Sequence, residues 1–160
     1  MDREAAFDFD QMVDELQQEI LDREQALYSD VVLRESGAPK NMGRMPDADA
    51  HGVVHGWCGD TMEIYLRFDS GTIQEATFVT DGCGATLACG SVLTEMVQGL
   101  TLAKAEWVLP KDLVHALDGL PEESMHCAGL AIGTMQNALF NWRMGDDESS
   151  RPREGQEETD

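Results

Sequence analysis

Three short segments of this chain each place a cysteine beside small or polar residues: Trp57-Cys58-Gly59-Asp60, Asp81-Gly82-Cys83-Gly84 and His126-Cys127. The thiolate is the form of cysteine that binds metal, and a helix N-terminus favours it through exposed N–H groups and the helix dipole. Cys83, at a strand-to-helix junction, and Cys127, in the first turns of the last helix, are both expected to gain from this. Glycines on either side of Cys83 let an inorganic ligand approach the backbone without meeting a Cβ. Asp60 follows Cys58 by two residues in an extended segment, so it points to the same side and offers a hard oxygen ligand. His126 offers a nitrogen. Cys-x-x-Cys pairs are absent from the sequence, which excludes zinc ribbons, thioredoxin-type redox motifs and ferredoxin spacing. The zinc deaminase signature is missing too. Spacing alone leaves two readings, a metal or thiol site and a set of buried structural cysteines.

The elements that must position these residues follow from periodicity. Residues 2–29 read as an amphipathic helix, with Phe9, Met12, Val13, Leu16, Ile20 and Leu27 on one stripe and acids and glutamines opposite. That stripe is expected to dock on the chain's own domain rather than to form a dimer. Ser36-Gly37-Ala38-Pro39 and Asn41-Met42-Gly43 mark a loop. From Thr61 to Phe68 apolar and polar residues alternate as in a half-buried strand, Asp69-Ser70-Gly71 signals a hairpin, and Thr72–Thr80 returns. A further strand is expected within Ala50–His55. A helix over about Ala85–Gln98 ends at Gly99, short helices over Thr101–Val108 and Lys111–Leu117 flank Pro110, and Glu122–Met144 forms the last helix. The organisation expected is an N-terminal helix over 1–30, a domain over 31–144 and a disordered acidic tail over 145–160.

The 160 residues carry a formal net charge of −20, with lysine limited to Lys40, Lys104 and Lys111. Such a chain is not expected to neutralise nucleic acid phosphates. A basic protein partner would be steered in quickly by the same field. No apolar run reaches the length of a membrane span, and the acidic start MDREAAFDFD lacks the basic and apolar regions of a secretory signal. A cytoplasmic protein with reduced thiols is the expectation, so metal binding or thiol chemistry outranks disulfides.

At these residues the sequence resembles the IscU/NifU family of iron–sulfur scaffold proteins, from about Tyr28 to Trp142. Tyr28-Ser29-Asp30-Val31-Val32 and Ala38-Pro39-Lys40-Asn41-Met42-Gly43 are similar to the family's leading helix and its Asn-Pro-Arg-Asn-x-Gly loop. Cys58-Gly59-Asp60-x-Met62 resembles the first ligand motif. Gly82-Cys83-Gly84 with Ala88–Ser91 and Thr94-Glu95 resembles the second, and Leu120-Pro121 with His126-Cys127-Ala128-x-Leu130 the third. The resemblance implies an α+β domain: a three-stranded antiparallel sheet covered by helices on one side, IscU/SufE-like, with an N-terminal helix and a long C-terminal helix. It implies that Cys58, Cys83 and Cys127 converge at one exposed end. There a transient 2Fe–2S cluster would be assembled from iron and from sulfur supplied by a cysteine desulfurase, then handed to apo iron–sulfur proteins. The same pocket can hold zinc. Scaffold and carrier, rather than enzyme, is the class implied.

Within that frame Asp60 is the labile fourth ligand and His126 the alternative one, because a durable cluster has four thiolates. Cys127 is the candidate persulfide acceptor, with Cys58 and Cys83 as rivals. Cys89 reads as a buried structural thiol, His51 and His55 as exposed loop residues, and Trp57 as packing or as a shield for the site. Leu120-Pro121-Glu122-Glu123-Ser124 replaces the Leu-Pro-Pro-Val-Lys segment of members served by a dedicated DnaK-type chaperone, so that partner is not expected. Two other functions compete: a zinc-binding sulfurtransferase of the SufU type, disfavoured by the short Cys83–Cys127 separation, and a non-assembling adaptor of the desulfurase.

Overall fold

The computed structural model describes residues 8–145; the expected acidic tail lies outside them, apart from Gly145. The element order is α1 (Phe9–Leu27), α2 (Asp30–Gly37), β1 (Ala50–His55), β2 (Thr61–Asp69), β3 (Thr72–Thr80), α3 (Gly84–Val97), α4 (Leu102–Glu106), α5 (Pro110–Ala116) and α6 (Met125–Gly145). The three strands form one antiparallel sheet in the order β1-β2-β3. Alternation in β2 buries Met62, Ile64 and Leu66 against α3 and α6, where they join Phe78, Leu93 and Met135 in the core. The opposite face carries Arg67 paired with Asp47 and Glu75, and His51 stacked on Tyr65 at 4.4 Å. The β2–β3 hairpin turns on Ser70 and Gly71, both at positive φ (51° and 79°), the twist-matched geometry of a two-residue turn.

Both outer edges of the sheet are closed. Along β1, the Asn137 side chain of α6 accepts from the Val53 N–H at 3.1 Å, and Asn141 donates to the His51 carbonyl at 3.0 Å. The helix runs so close that a Cβ on Gly52 would meet the Ala138 nitrogen at 2.5 Å. Along β3, the Asn41 carbonyl accepts from Phe78 N–H and Gly43 N–H donates to the Phe78 carbonyl, while residues 99–102 cover the strand's start. Paired or covered edges cannot recruit another chain's strand.

The first helix departs from expectation in two ways. It ends at Leu27 with no Gly or Pro, because Tyr28 and Ser29 turn extended and the Ser29 hydroxyl caps a separate helix, α2, by accepting from Val32 N–H at 3.1 Å. Its apolar stripe does not dock on the domain: none of its residues is buried, and Phe9, Leu16, Ile20 and Leu27 are about half exposed or more. The last helix also starts later than its periodicity predicts. Glu122–Ser124 form a single 3-10 turn first, and Ser124 is buried against the Tyr28 hydroxyl at 3.2 Å. Among the described residues no helix is long and apolar enough to cross a membrane.

Candidate metal centre

Two loops and two helix starts meet at one end of the sheet. Residues 56–60 join β1 to β2 through a tight turn closed by Gly56 N–H to the Asp60 carbonyl (2.6 Å) and Gly59 N–H to the Gly56 carbonyl (3.0 Å). Gly59 sits at φ +94°, a conformation that a side chain would strain. The turn is tied to the strand leaving β3, because Asp81 accepts from Thr61 N–H at 2.7 Å and the Thr80 hydroxyl donates to the Thr61 carbonyl at 2.7 Å. The Cys58 loop and the Cys83 junction are thereby held side by side.

Cys83 is the N-cap residue of α3, and its thiol is exposed. Partial burial pushes that thiol up. The N–H and hydroxyl of Thr86, with the N–H of Ala85, outweigh this despite the nearby Asp60 charge and hold it below the ordinary value of 9.0. Cys127 differs. It is the third residue of α6 and is 1% exposed, and burial pushes its thiol up to about 11, against a lowering bond from Thr86 and with the charges of Cys83 and Asp60 adding to the rise. The support expected from the helix start for a Cys127 thiolate is outweighed by burial, the largest influence on this thiol. Cys58 is exposed at the tip of its turn. Cys89 is fully buried in α3, with its thiol raised by burial first and then by Cys127 and Cys83, as befits packing.

Thr86, which residue-type reasoning passed over, stands at the centre. Its hydroxyl lies 3.2 Å from Asp60 Oδ2, 3.4 Å from Cys127 Sγ and 3.6 Å from Cys83 Sγ. The signal was its position three residues after a helix-capping cysteine, which returns a side chain to the cap. Gly82 is needed beneath it, since a Cβ there would meet Thr86 Cβ at 2.7 Å. His126 lies on the other flank, its Nε2 3.6 Å from Cys127 Sγ and its ring 5.5 Å from that of Trp57. Trp57 is 88% exposed, so core packing does not hold it, and its ring flanks that of His126. Trp57, Cys58, His126 and Leu130 line an open cleft of about 350 Å³. His51 and His55 are strand residues, engaged with Glu63 and Thr61 respectively.

The structure therefore brings Asp60, Cys83 and Cys127 around one hydroxyl, with His126 and Cys58 at the rim. Among the described residues, no three His, Cys, Asp or Glu side chains are gathered tightly enough to hold a metal ion as they stand. Three thiols, a carboxylate and an imidazole are donor types that suit a thiophilic metal.

A small α+β domain with a glycine-lined, thiol-bearing end is the class that fold and site define. The family model for the NifU-like N-terminal domain matches residues 27–148, and the chain belongs to that family. It is 37% identical over 117 residues to an iron–sulfur cluster assembly scaffold protein IscU of Archaeoglobus fulgidus, covering 72% of this chain and 76% of the relative. It is 40% identical over 119 residues to the nitrogen fixation protein NifU of Azotobacter chroococcum, covering 72% of this chain but 38% of that longer protein. The solved N-terminal part of a NifU-like protein from Brucella abortus shares the fold, with a TM-score of 0.60 at 18% identity over 74% of this chain and 95% of that one.

Proposed function

We propose that this protein is a scaffold on which a labile 2Fe–2S cluster is assembled and from which it is passed to apo-proteins. The observation that carries the reading is the convergence of Asp60, Cys83 and Cys127 on the Thr86 hydroxyl, at an open end flanked by Cys58, in a chain of the NifU-like family. The relatives named as cluster assembly scaffolds support it. Iron and sulfur are the cargo. Cys58, Cys83 and Cys127 are the proposed thiolate ligands, Asp60 the fourth, with His126 as its alternative. An oxygen or imidazole corner is weaker than a fourth thiolate and suits release.

Sulfur would come as persulfide from a cysteine desulfurase. The sequence nominated Cys127 as acceptor, but geometry favours Cys83 as the first to receive it. Cys83 is exposed and its thiol is lowered, whereas Cys127 is buried and burial raises its thiol. The donors are not gathered as they stand, and binding a metal would need the Thr86 hydroxyl to give up its place between Asp60 and Cys127. The setting we assign is cytoplasmic and reducing, where thiols stay available as ligands, and no enzymatic turnover is assigned.

Anaerobic incubation with ferrous iron, cysteine and a cysteine desulfurase tests the reading. The expected outcome is a sulfur-to-iron charge-transfer spectrum, followed by its appearance in added apo-ferredoxin. Tight stoichiometric zinc with no colour would overturn it in favour of a zinc-holding sulfurtransferase; desulfurase binding without either would favour an adaptor.

A further inference from the structure

We infer that α1 is a docking helix for a partner protein that presents a cationic amphipathic helix. Three observations carry this. First, α1 stands outside the scaffold unit: the family-matched segment starts at residue 27, where this helix ends, and no residue of Phe9–Leu27 is buried. A lone helix of this length is marginal in water, because most helical stability comes from packing an apolar face. Second, the face is built. Asp8 caps the helix by accepting from the N–H groups of Asp10 and Gln11. Phe9, Val13, Leu16, Ile20 and Leu27 then follow the alternating four- and three-residue steps of a coiled-coil seam, interrupted at Arg23. Val13, Ile20 and Leu27 take the a positions and Phe9, Leu16 and Arg23 the d positions; β-branched residues at two a positions with Leu at a d favour a two-stranded pairing. Phe9, Leu16, Ile20 and Leu27 are 62%, 50%, 57% and 48% exposed.

Third, charge selects the occupant. Asp10, Asp14, Glu15, Glu19, Asp22 and Glu24 stand on α1 against the single cation Arg23, which is already paired with Glu19 at 3.5 Å. Glu19 and Glu24 flank the seam at g and e positions. In a parallel pair of identical helices Glu19 of one copy would face Glu24 of the other, and an antiparallel pair also sets acidic rows together. A membrane surface is disfavoured as well, since interfacial helices carry Lys and Arg on the polar face and anionic lipid repels acids. A partner helix with an apolar seam edged by Lys or Arg satisfies both seam and flanks.

The test uses the full chain and a synthetic helical peptide about three heptads long, with Ile at a, Leu at d and Lys at e and g. Its counterpart carries Glu at e and g. Light scattering of the chain alone should give a monomer. The lysine peptide should bind with an affinity that falls as salt is added, and the glutamate peptide should not bind. Substituting Leu16→Gln with Ile20→Gln leaves the charge unchanged and should weaken lysine-peptide binding at least about tenfold, a loss of about 1.4 kcal/mol. Substituting Glu19→Lys with Glu24→Lys should reverse the preference. A dimer abolished by the glutamine pair would show that a second copy covers the seam and would overturn the proposal. Lysine-peptide binding that the glutamine pair leaves intact would overturn it too, since that is attraction to net charge alone.

Discussion

The Thr86 hydroxyl, on the first turn of α3, donates to the Asp60 carboxylate at 3.2 Å and so bridges the helix to the loop that carries Cys58. It is also 3.4 Å from the buried Cys127 sulfur and 3.6 Å from Cys83. One hydroxyl proton cannot serve Asp60 and Cys127 fully at once, so the bond is shared and the arrangement is easily redistributed. Replacing Thr86 by Val keeps the shape and removes the hydroxyl. The Cys83 thiol then loses one of the groups that lower it, while the N–H groups of Thr86 and Ala85 remain. The expected result is a partial upward shift in the pH at which Cys83 becomes alkylated, followed by mass spectrometry of the labelled peptide, with Thr86→Ser restoring the original value. An unchanged profile in Thr86→Val would remove the hydroxyl from the account of this thiol.

Asp60 is the proposed release corner. With Asp60→Ala the weakest ligand is gone and the three thiolates dominate. Cluster transfer to apo-ferredoxin, followed by its visible spectrum, should slow roughly tenfold, equivalent to about 1.4 kcal/mol in the barrier. Transfer at the original rate would mean that His126 or solvent, not Asp60, sets lability.

Glu35 tests how the loop over α3 is held. It is 2% exposed, accepts from the Ser91 hydroxyl at 2.6 Å, and pairs with Lys40 at 3.3 Å. Lys40 N–H in turn donates to Ser91. The Ser91 bond lowers the Glu35 carboxyl, burial opposes it, and Lys40 and Arg34 lower it further, so the net value is below the ordinary 4.5. A depressed carboxyl contributes stability above its unfolded value, and that contribution disappears as pH falls through the folded one. Glu35→Gln should cost about 1–3 kcal/mol at neutral pH and flatten the acid limb of a denaturation-versus-pH curve. Equal acid sensitivity in both proteins would assign that limb to other carboxylates.

How much was legible in the sequence depends on whether the determinant is local. The β2–β3 hairpin was, because alternation and the Asp69-Ser70-Gly71 signal are written within the segment. The family motifs identified the fold and sheet by resemblance. The break at Tyr28–Ser29 was not legible, because it carries no Gly or Pro; it depends on Ser29 capping α2 and donating to the distant Leu117 carbonyl. Cys127 shows the same limit. Its position early in a helix suggested an acidic thiol, but burial is decided by residues far away in sequence. Thr86 was missed because a threonine is unremarkable until Asp60 and Cys127 are brought against it. Gly52 is similar: it looks like a strand glycine until α6 lies on it, and Gly52→Ala should cost about 1–3 kcal/mol in a melt by overpacking.

The buried thiols give the protein an alkaline limit with a calculable sign. Cys127 is raised from 9.0 to about 11 and Cys89 is raised further, both chiefly by burial. Above pH 9 the unfolded chain releases these protons while the folded one retains them, so the folded state binds more protons and stability falls as pH rises. For Cys127 the loss begins near 9 and continues until about 11; below pH 9 its contribution is fully present. Urea melts of the reduced protein across this range should show a falling midpoint, and Cys89→Ala should lower stability at neutral pH yet reduce the alkaline slope. The same ordering applies to labelling. Iodoacetamide should modify Cys83 at a pH where Cys127 is untouched, and denaturant should abolish the difference. Simultaneous labelling of both in the folded protein would show that Cys127 is reached by solvent, and would restore it as a direct acceptor of sulfur.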